Sequence, residues 1–303
     1  MSRPSTSPYR RVDQTTPAYR EAVAHETATA IAQGKSAAEV EKSAERRVTR
    51  QFVAAEKQRR LDLVAPLTAA LTTLDQPRGC WAYTMTIRTT RDGRTTVTVE
   101  RFDPYQPEEK LWTLLNRDGT TPTEATQADY RRTKLRAWQK QQAHDAKRKL
   151  PLAEQIRANA LYTELETETA ADPGVITYRF VREAVHWTFI GDLPRQRETY
   201  VVDTATAAVR RHETVYLGPS KILGRLTIEA FDQATDYGMI DPALPPFPVK
   251  GTAHSRYRTF AGPIHEETVE KTYSDYRRVK CYDDRFQAIP GELRPIDIVP
   301  GDE

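Results

Sequence analysis

The chain reads as an α+β protein: a curved antiparallel sheet (an incomplete β-barrel) covered by helices, with a long N-terminal helical extension. Three observations carry that reading. Apolar residues recur every three to four positions before residue 75. Two-residue alternation begins at Cys80 and returns in successive segments to about residue 280. Those segments follow one another across short turns, as adjacent antiparallel strands do, and this predicts a meandering sheet.

Residues 1–16 are rich in Ser, Thr, Pro and Arg and are expected to be disordered. Pro17 opens a helix that Gly34 stops, the usual asymmetry of Pro at a helix start and Gly past its end. Ser36 stands three residues before Glu39, the spacing of a capping box. A second helix is predicted from there to about residue 74. Val40, Ala44, Val48 and Phe52 form its stripe, and Leu61, Val64, Leu67 and Leu71 continue it, so this helix must lie on something apolar. Residues 17–75 are the helical extension.

Residues 76–282 are expected to form the half-barrel domain. In "CWAYTMTIRTT", Trp81, Tyr83, Met85 and Ile87 face one side. "RDGR" is a hairpin turn and "TTVTVERF" the returning strand. "KLWTLLN" is a third strand, ended at Asp118-Gly119. A helical insert covers 121–166. It comprises a basic helix from Pro122 to about Lys149 and a helix from Pro151 to about Leu165, followed by a loop "ETETAADPG". The sheet then resumes through "VITYRFVREAVHWTFI", "RQRETYVVDTATAAVRRHETVY", "ILGRLTIEAFDQATDYGMI" and the segment ending at Val279, with turns at Asp203 and Ala261. Residues 283–303 are an irregular tail rich in Pro and acidic residues.

Bulk composition narrows the function classes. With 38% hydrophobic residues and a mean hydropathy of -0.68, the core must come from patterned segments. Forty-five basic and 42 acidic residues nearly cancel, which argues against a dedicated nucleic-acid binder and its concentrated positive field. No window of 18 apolar residues exists to form a membrane-spanning helix. The opening "MSRPSTSPYRRVDQTTPAYREAV" lacks the apolar run of a secretory signal. The expected location is therefore the cytoplasm, or the periplasm if the chain shown lacks its export signal. Cys80 and Cys281 have no CxxC spacing and are read as two buried thiols, since a disulfide would need an oxidising compartment.

Catalytic signatures are missing. No phosphate-binding, dinucleotide, nucleophile-elbow or HExxH motif occurs, and "GPSK" at Gly218 is too short to cradle a phosphate. The cluster His265-Glu266-Glu267 reads as an exposed polar strand face rather than a metal site, and Asp283-Asp284 as solvated tail residues. No cofactor or metal is called for. The basic helix around Arg131 to Lys149, with Leu135 and Trp138 as its packing edge, reads as a solvated face rather than a surface for anionic lipid or nucleic acid. The rings carry more signal. Trp81 and Tyr83, and Trp187 and Phe189, put large side chains on one side of a sheet, and such a face needs a cover, from its own helices or from an apolar ligand.

The order of an N-terminal helix, "CWAYTMTIRTT", "TTVTVERFDP", "WTLLNRDG", helices, then "YVVDTATAAVRRHETVYLG" through "KGTAHSRYRTFAGPIHEETVEKTYSDYRRV" resembles the bacterial periplasmic lipoprotein-carrier superfamily and its uncharacterised exported relatives. "RFDP…WTLLNRDGTTPT" resembles those exported proteins in particular, and "VDTATAAVRR" is similar to a turn of the carriers. The resemblance spans roughly residues 76–280. It implies an incomplete antiparallel barrel closed by helices around a hydrophobic cavity. The chain departs from the superfamily in its N-terminal helices and its helical insert, and in having no lipid-attachment cysteine near residue 1.

The functional expectation is a non-catalytic binding protein that holds a lipid, a lipoprotein acyl chain or another apolar ligand. Trp81, Tyr83, Met85, Trp112, Trp187 and Phe189 are the candidate cavity residues, and a lipid or lipoprotein is the candidate partner, with no nucleic acid. The alternatives are a structural or interaction protein whose helices fill the cavity, or an enzyme of unknown type using His265 or His186 with a carboxylate.

Overall fold

The computed structural model describes residues 16–33, 37–76, 79–146, 150–159, 164–169, 172, 174–182, 184–187, 191–222, 226–259 and 262–282. The expected disordered segment up to residue 15, the tail at 283–303 and the turn at Ala261 lie outside them.

Helix α1 spans Pro17–Ala32 and α2 spans Ala37–Leu74. Thr16 caps α1 by accepting from the Tyr19 N–H at 3.3 Å, and Pro17 occupies a position whose N–H would have no helical partner. The stripe of α2 is used by two different neighbours. Val40, Ala44 and Val48 are buried in its first half, where the Tyr19 ring of α1 meets Phe52 at 5.7 Å and the Tyr19 hydroxyl lies 3.0 Å from Thr49. Val64, Leu67, Ala70 and Leu71 are buried in its second half, against the sheet. Pro66 sits inside that second half. The helix continues through the lost hydrogen bond, with Val64 and Leu67 buried before and after Pro66.

The sheet is antiparallel, open, and not closed into a barrel. Strands β1 (Cys80–Arg91) and β2 (Arg94–Phe102) pair across a two-residue turn. Asp92 and Gly93 there have φ of 48° and 80°, as a type I′ hairpin requires. A 3-10 turn at Glu108–Lys110 leads to β3 (Trp112–Arg117). Helices α3 (Glu124–Ala146) and α4 (Leu152–Asn159) follow. Strand β4 (Glu164–Thr169) stands where the sequence predicts the end of the helix near Leu165 and the start of the loop "ETETAADPG". It pairs in full with β5 (Val175–Arg182), which recruits a polar sequence to the sheet edge.

The short strands β6 (Val185–Trp187) and β7 (Gly191–Leu193) precede the hairpin β8 (Gln196–Asp203) and β9 (Ala208–Tyr216). Its turn is braced by Asp203, whose carboxylate accepts from the Ala205 and Thr206 N–H groups. Strands β10 (Ser220–Ile222), β11 (Leu226–Gly238), β12 (Phe247–Thr259) and β13 (Ile264–Val279) complete the order. The spatial order is β3-β2-β1-β13-β12-β11-β9-β8-β5-β4, with β10, β7 and β6 attached beside β11.

A pure meander does not describe this order. The first and last long strands, β1 and β13, are neighbours inside the sheet, and a disulfide joins Cys80 to Cys281 at their ends. The expected free thiols are thus corrected: the β1–β13 pairing brings the Cα atoms to 5.3 Å, within reach of a disulfide.

Candidate functional site

Register assigns the two faces of the sheet. One row of opposed residues runs Tyr178, Tyr200, His212, Thr235, Gly251, Lys271 and Ile87. Met85 and Tyr83 follow Ile87 at two-residue steps, so they share this face. The opposite face carries ion pairs between neighbouring strands, among them Arg211–Asp236 and Arg179–Glu168, both at 2.7 Å.

Helices cover the first face at its two ends. At one end α2 and α4 lie over β5, β8 and β9. Leu67, Leu71, Ile156, Tyr178, Phe180 and Tyr200 form a dry core there, each at most 1% exposed. At the other end α3 lies against β3, where polar contacts tie it down. Gln127 Oε1 accepts from the Leu114 N–H at 3.1 Å, and Gln127 donates from Nε2 to the Leu114 carbonyl. Arg131 donates to the Trp112 carbonyl at 3.3 Å. Lys134 lies 2.7 Å from the Glu100 carboxylate, which is fully buried.

A chain of rings runs across β12, β13, β1, β2 and β3. Trp81 meets Phe247 at 5.1 Å, and Phe247 meets Tyr276 at 5.1 Å. Tyr276 meets Tyr83 at 5.6 Å, and Tyr83 also touches Phe102 at 5.2 Å and Tyr273 at 5.7 Å. Phe102 meets Trp112 at 4.7 Å. These separations and tilts are those of favourable aromatic pairs. All but Phe247 keep part of their surface open to solvent. Burial, with the neighbouring Tyr273 and Tyr276 hydroxyls and Glu100 adding to it, raises the Tyr83 hydroxyl far above its ordinary value.

Of the residues singled out from sequence, Trp81, Tyr83 and Trp112 therefore belong to one ring chain, and Met85 lies buried beside it, opposite both Glu100 and Tyr273. Trp187 is in β6 opposite Gly191, and Phe189 lies outside the described residues. Sequence reading missed Phe102, Tyr273, Tyr276, Phe247 and the pair Glu100–Lys134. Phe102 was within reach: counting outward from the Asp92-Gly93 turn places it opposite Tyr83. Tyr273 and Tyr276 depend on the β1–β13 pairing, which no local signal announces.

The titratable groups fall into three sets. Burial raises the Glu100 carboxyl against the opposing pull of Lys134. At the dry end, His212 stacks on Tyr200 at 4.3 Å, and burial, followed by the charge of Arg182, lowers it to about 4. The Tyr200 hydroxyl donates to Glu198 at 3.3 Å, and Arg182 pairs with the same carboxylate at 3.2 Å. Elsewhere on the sheet, His265 lies 2.7 Å from Asp92, and His254 lies 3.1 Å from Asp232 and 2.9 Å from Glu266. The side chain of His186 lies outside the described residues. Among the described residues no three His, Cys, Asp or Glu side chains gather as a metal site, and no helix is long and apolar enough to cross a membrane.

No protein-family model and no curated protein matches the chain.

Proposed function

We propose that the protein is a non-catalytic binding protein whose sheet curves as a half-barrel and receives an apolar moiety, such as a lipid or lipoprotein acyl chain, on the ring-bearing face. The observation that carries this reading is the partly exposed chain Trp81–Phe247–Tyr276–Tyr83–Phe102–Trp112, which meets Arg131 and Lys134 of α3 at its Trp112 end. Aromatic surface left open on a sheet face is a place for an apolar ligand. Each methylene taken from water would contribute about 0.8 kcal/mol, so surface alone supplies affinity. The disulfide supports an oxidising compartment such as the periplasm. Both points agree with the lipoprotein-carrier resemblance.

A second reading is a structural or interaction protein. The dry packing of Leu67, Leu71 and Ile156 supports it, because at that end the protein's own helices fill the face. Native mass spectrometry of protein purified with its disulfide intact separates the two. The binding reading expects co-purified lipid, or a mass shift on adding a fatty acid or lipopeptide. Neither lipid nor shift would favour the second reading.

A further inference from the structure

The Glu100 carboxylate is fully buried on a sheet face, while Lys134, its partner, is 27% exposed and comes from the helix above. The Lys134 ammonium lies 4.9 Å from the Trp112 ring centre and 5.4 Å from that of Tyr130. A buried carboxylate whose bound ammonium lies over two ring faces is the chemistry that recognises an organic cation. Burying that charge is costly, so the fold keeps it only with a cation beside it.

We propose that Glu100, Trp112 and Tyr130 form a recognition site for a primary alkylammonium group, and that Lys134 occupies it in the free protein. Three features make the exchange feasible. Lysine is a point charge on a flexible stem, so it can leave without moving α3. Its partial exposure gives the site a way in from solvent. Glu100 has two acceptor oxygens that need N–H donors, which selects a primary ammonium over a quaternary one. The ligand's ammonium can belong to a free amine or to an aminophospholipid headgroup. The site shares Trp112 with the acyl-chain surface but does not rest on that reading. Amine binding without fatty-acid uptake, or the reverse, tells the two apart.

The test uses full-length protein with Lys134→Met, which keeps the stem and removes the charge. Propylammonium chloride is expected to raise its melting temperature by several degrees beyond sodium chloride or tetramethylammonium chloride at equal ionic strength. Wild type is expected to need about tenfold more amine, because Lys134 competes for the site. The double variant Glu100→Gln/Lys134→Met is expected to lose the response. Should Lys134→Met fail to fold, the Trp112 indole N–H signal of wild type, followed by NMR, is expected to shift with propylammonium while that of Trp138 stays. Dihexanoyl phosphatidylethanolamine that displaces the amine, where the phosphatidylglycerol analogue does not, would assign the lipid headgroup. Displacement by neither would assign a free amine. Equal responses to propylammonium and sodium chloride, with a silent Trp112 signal, would overturn the proposal.

Discussion

The two ends of one sheet face are covered in different ways. Over β5, β8 and β9, α2 and α4 press Leu67, Leu71 and Ile156 onto Tyr178, Phe180 and Tyr200, and water is shut out. At β3, α3 is fastened by Gln127 and Arg131 to backbone atoms of that strand and by Lys134 to Glu100 of β2, and rings remain partly open beside it. The first arrangement is a folding core, whose stabilisation scales with buried apolar area. The second is a poor stabiliser for its size, since a buried ion pair roughly offsets its own desolvation. The polar end is therefore the place to look for function, and the dry end for stability.

The largest expected effect lies on neither end but on the strands that join them. The Cys80–Cys281 disulfide closes a loop with a sequence separation of 201 residues. Removing it by Cys80→Ser/Cys281→Ser is expected to cost about 2–5 kcal/mol in denaturant unfolding. An unchanged midpoint with and without reductant would show that the β1–β13 pairing stands without it.

Next comes the contrast between the covers. Leu67→Ala, at 0% exposure, is expected to cost about 2–5 kcal/mol by the same measurement. Arg131→Ala, which removes one tie between α3 and β3, is expected to cost about 1 kcal/mol. Equal losses would erase the distinction between a dry core and a polar cover.

The ends should also answer pH in opposite directions. His212 is lowered in the folded state to about 4, so its contribution is present above the ordinary histidine value of 6.5 and is lost as pH falls from there toward 4. Glu100 is raised, so its contribution is present below the ordinary carboxyl value and is lost as pH rises through the raised one. His212→Gln is expected to flatten the acid-side fall in stability, and Glu100→Gln the opposing slope. Stability curves of the two variants that superimpose on wild type between pH 4 and 7 would contradict both assignments. The smallest effect belongs to the exposed sites: His254→Gln is expected to change stability by about 0–1 kcal/mol, because Glu266 and Asp232 hold it in screened solvent.

Local signals explain which parts of this were legible in the sequence. The type I′ turn at Asp92-Gly93 sets the β1–β2 register, and the stripe through Val64, Leu67 and Leu71 marks the side of α2 that becomes core. Strand β4 was hidden because Glu164, Glu166 and Glu168 give "ELETET" no apolar face, and only pairing with β5 makes it a strand. The disulfide and the contacts of Tyr83 with Tyr273 and Tyr276 were hidden because they join residues roughly 200 positions apart. The Glu100–Lys134 pair was hidden for a related reason: a glutamate in an alternating strand and a lysine in a basic helix each look solvated until the two elements stack.

The most direct test of the account maps an apolar ligand onto the two ends at once. A spin-labelled stearic acid is added to the folded, disulfide-bonded protein, and side-chain NMR signals are followed for broadening. The account expects broadening at Trp81, Tyr83, Phe102 and Trp112, with Leu67, Leu71 and Ile156 spared. Broadening centred on Leu67, Leu71 and Ile156, or none at any of these residues, would contradict it.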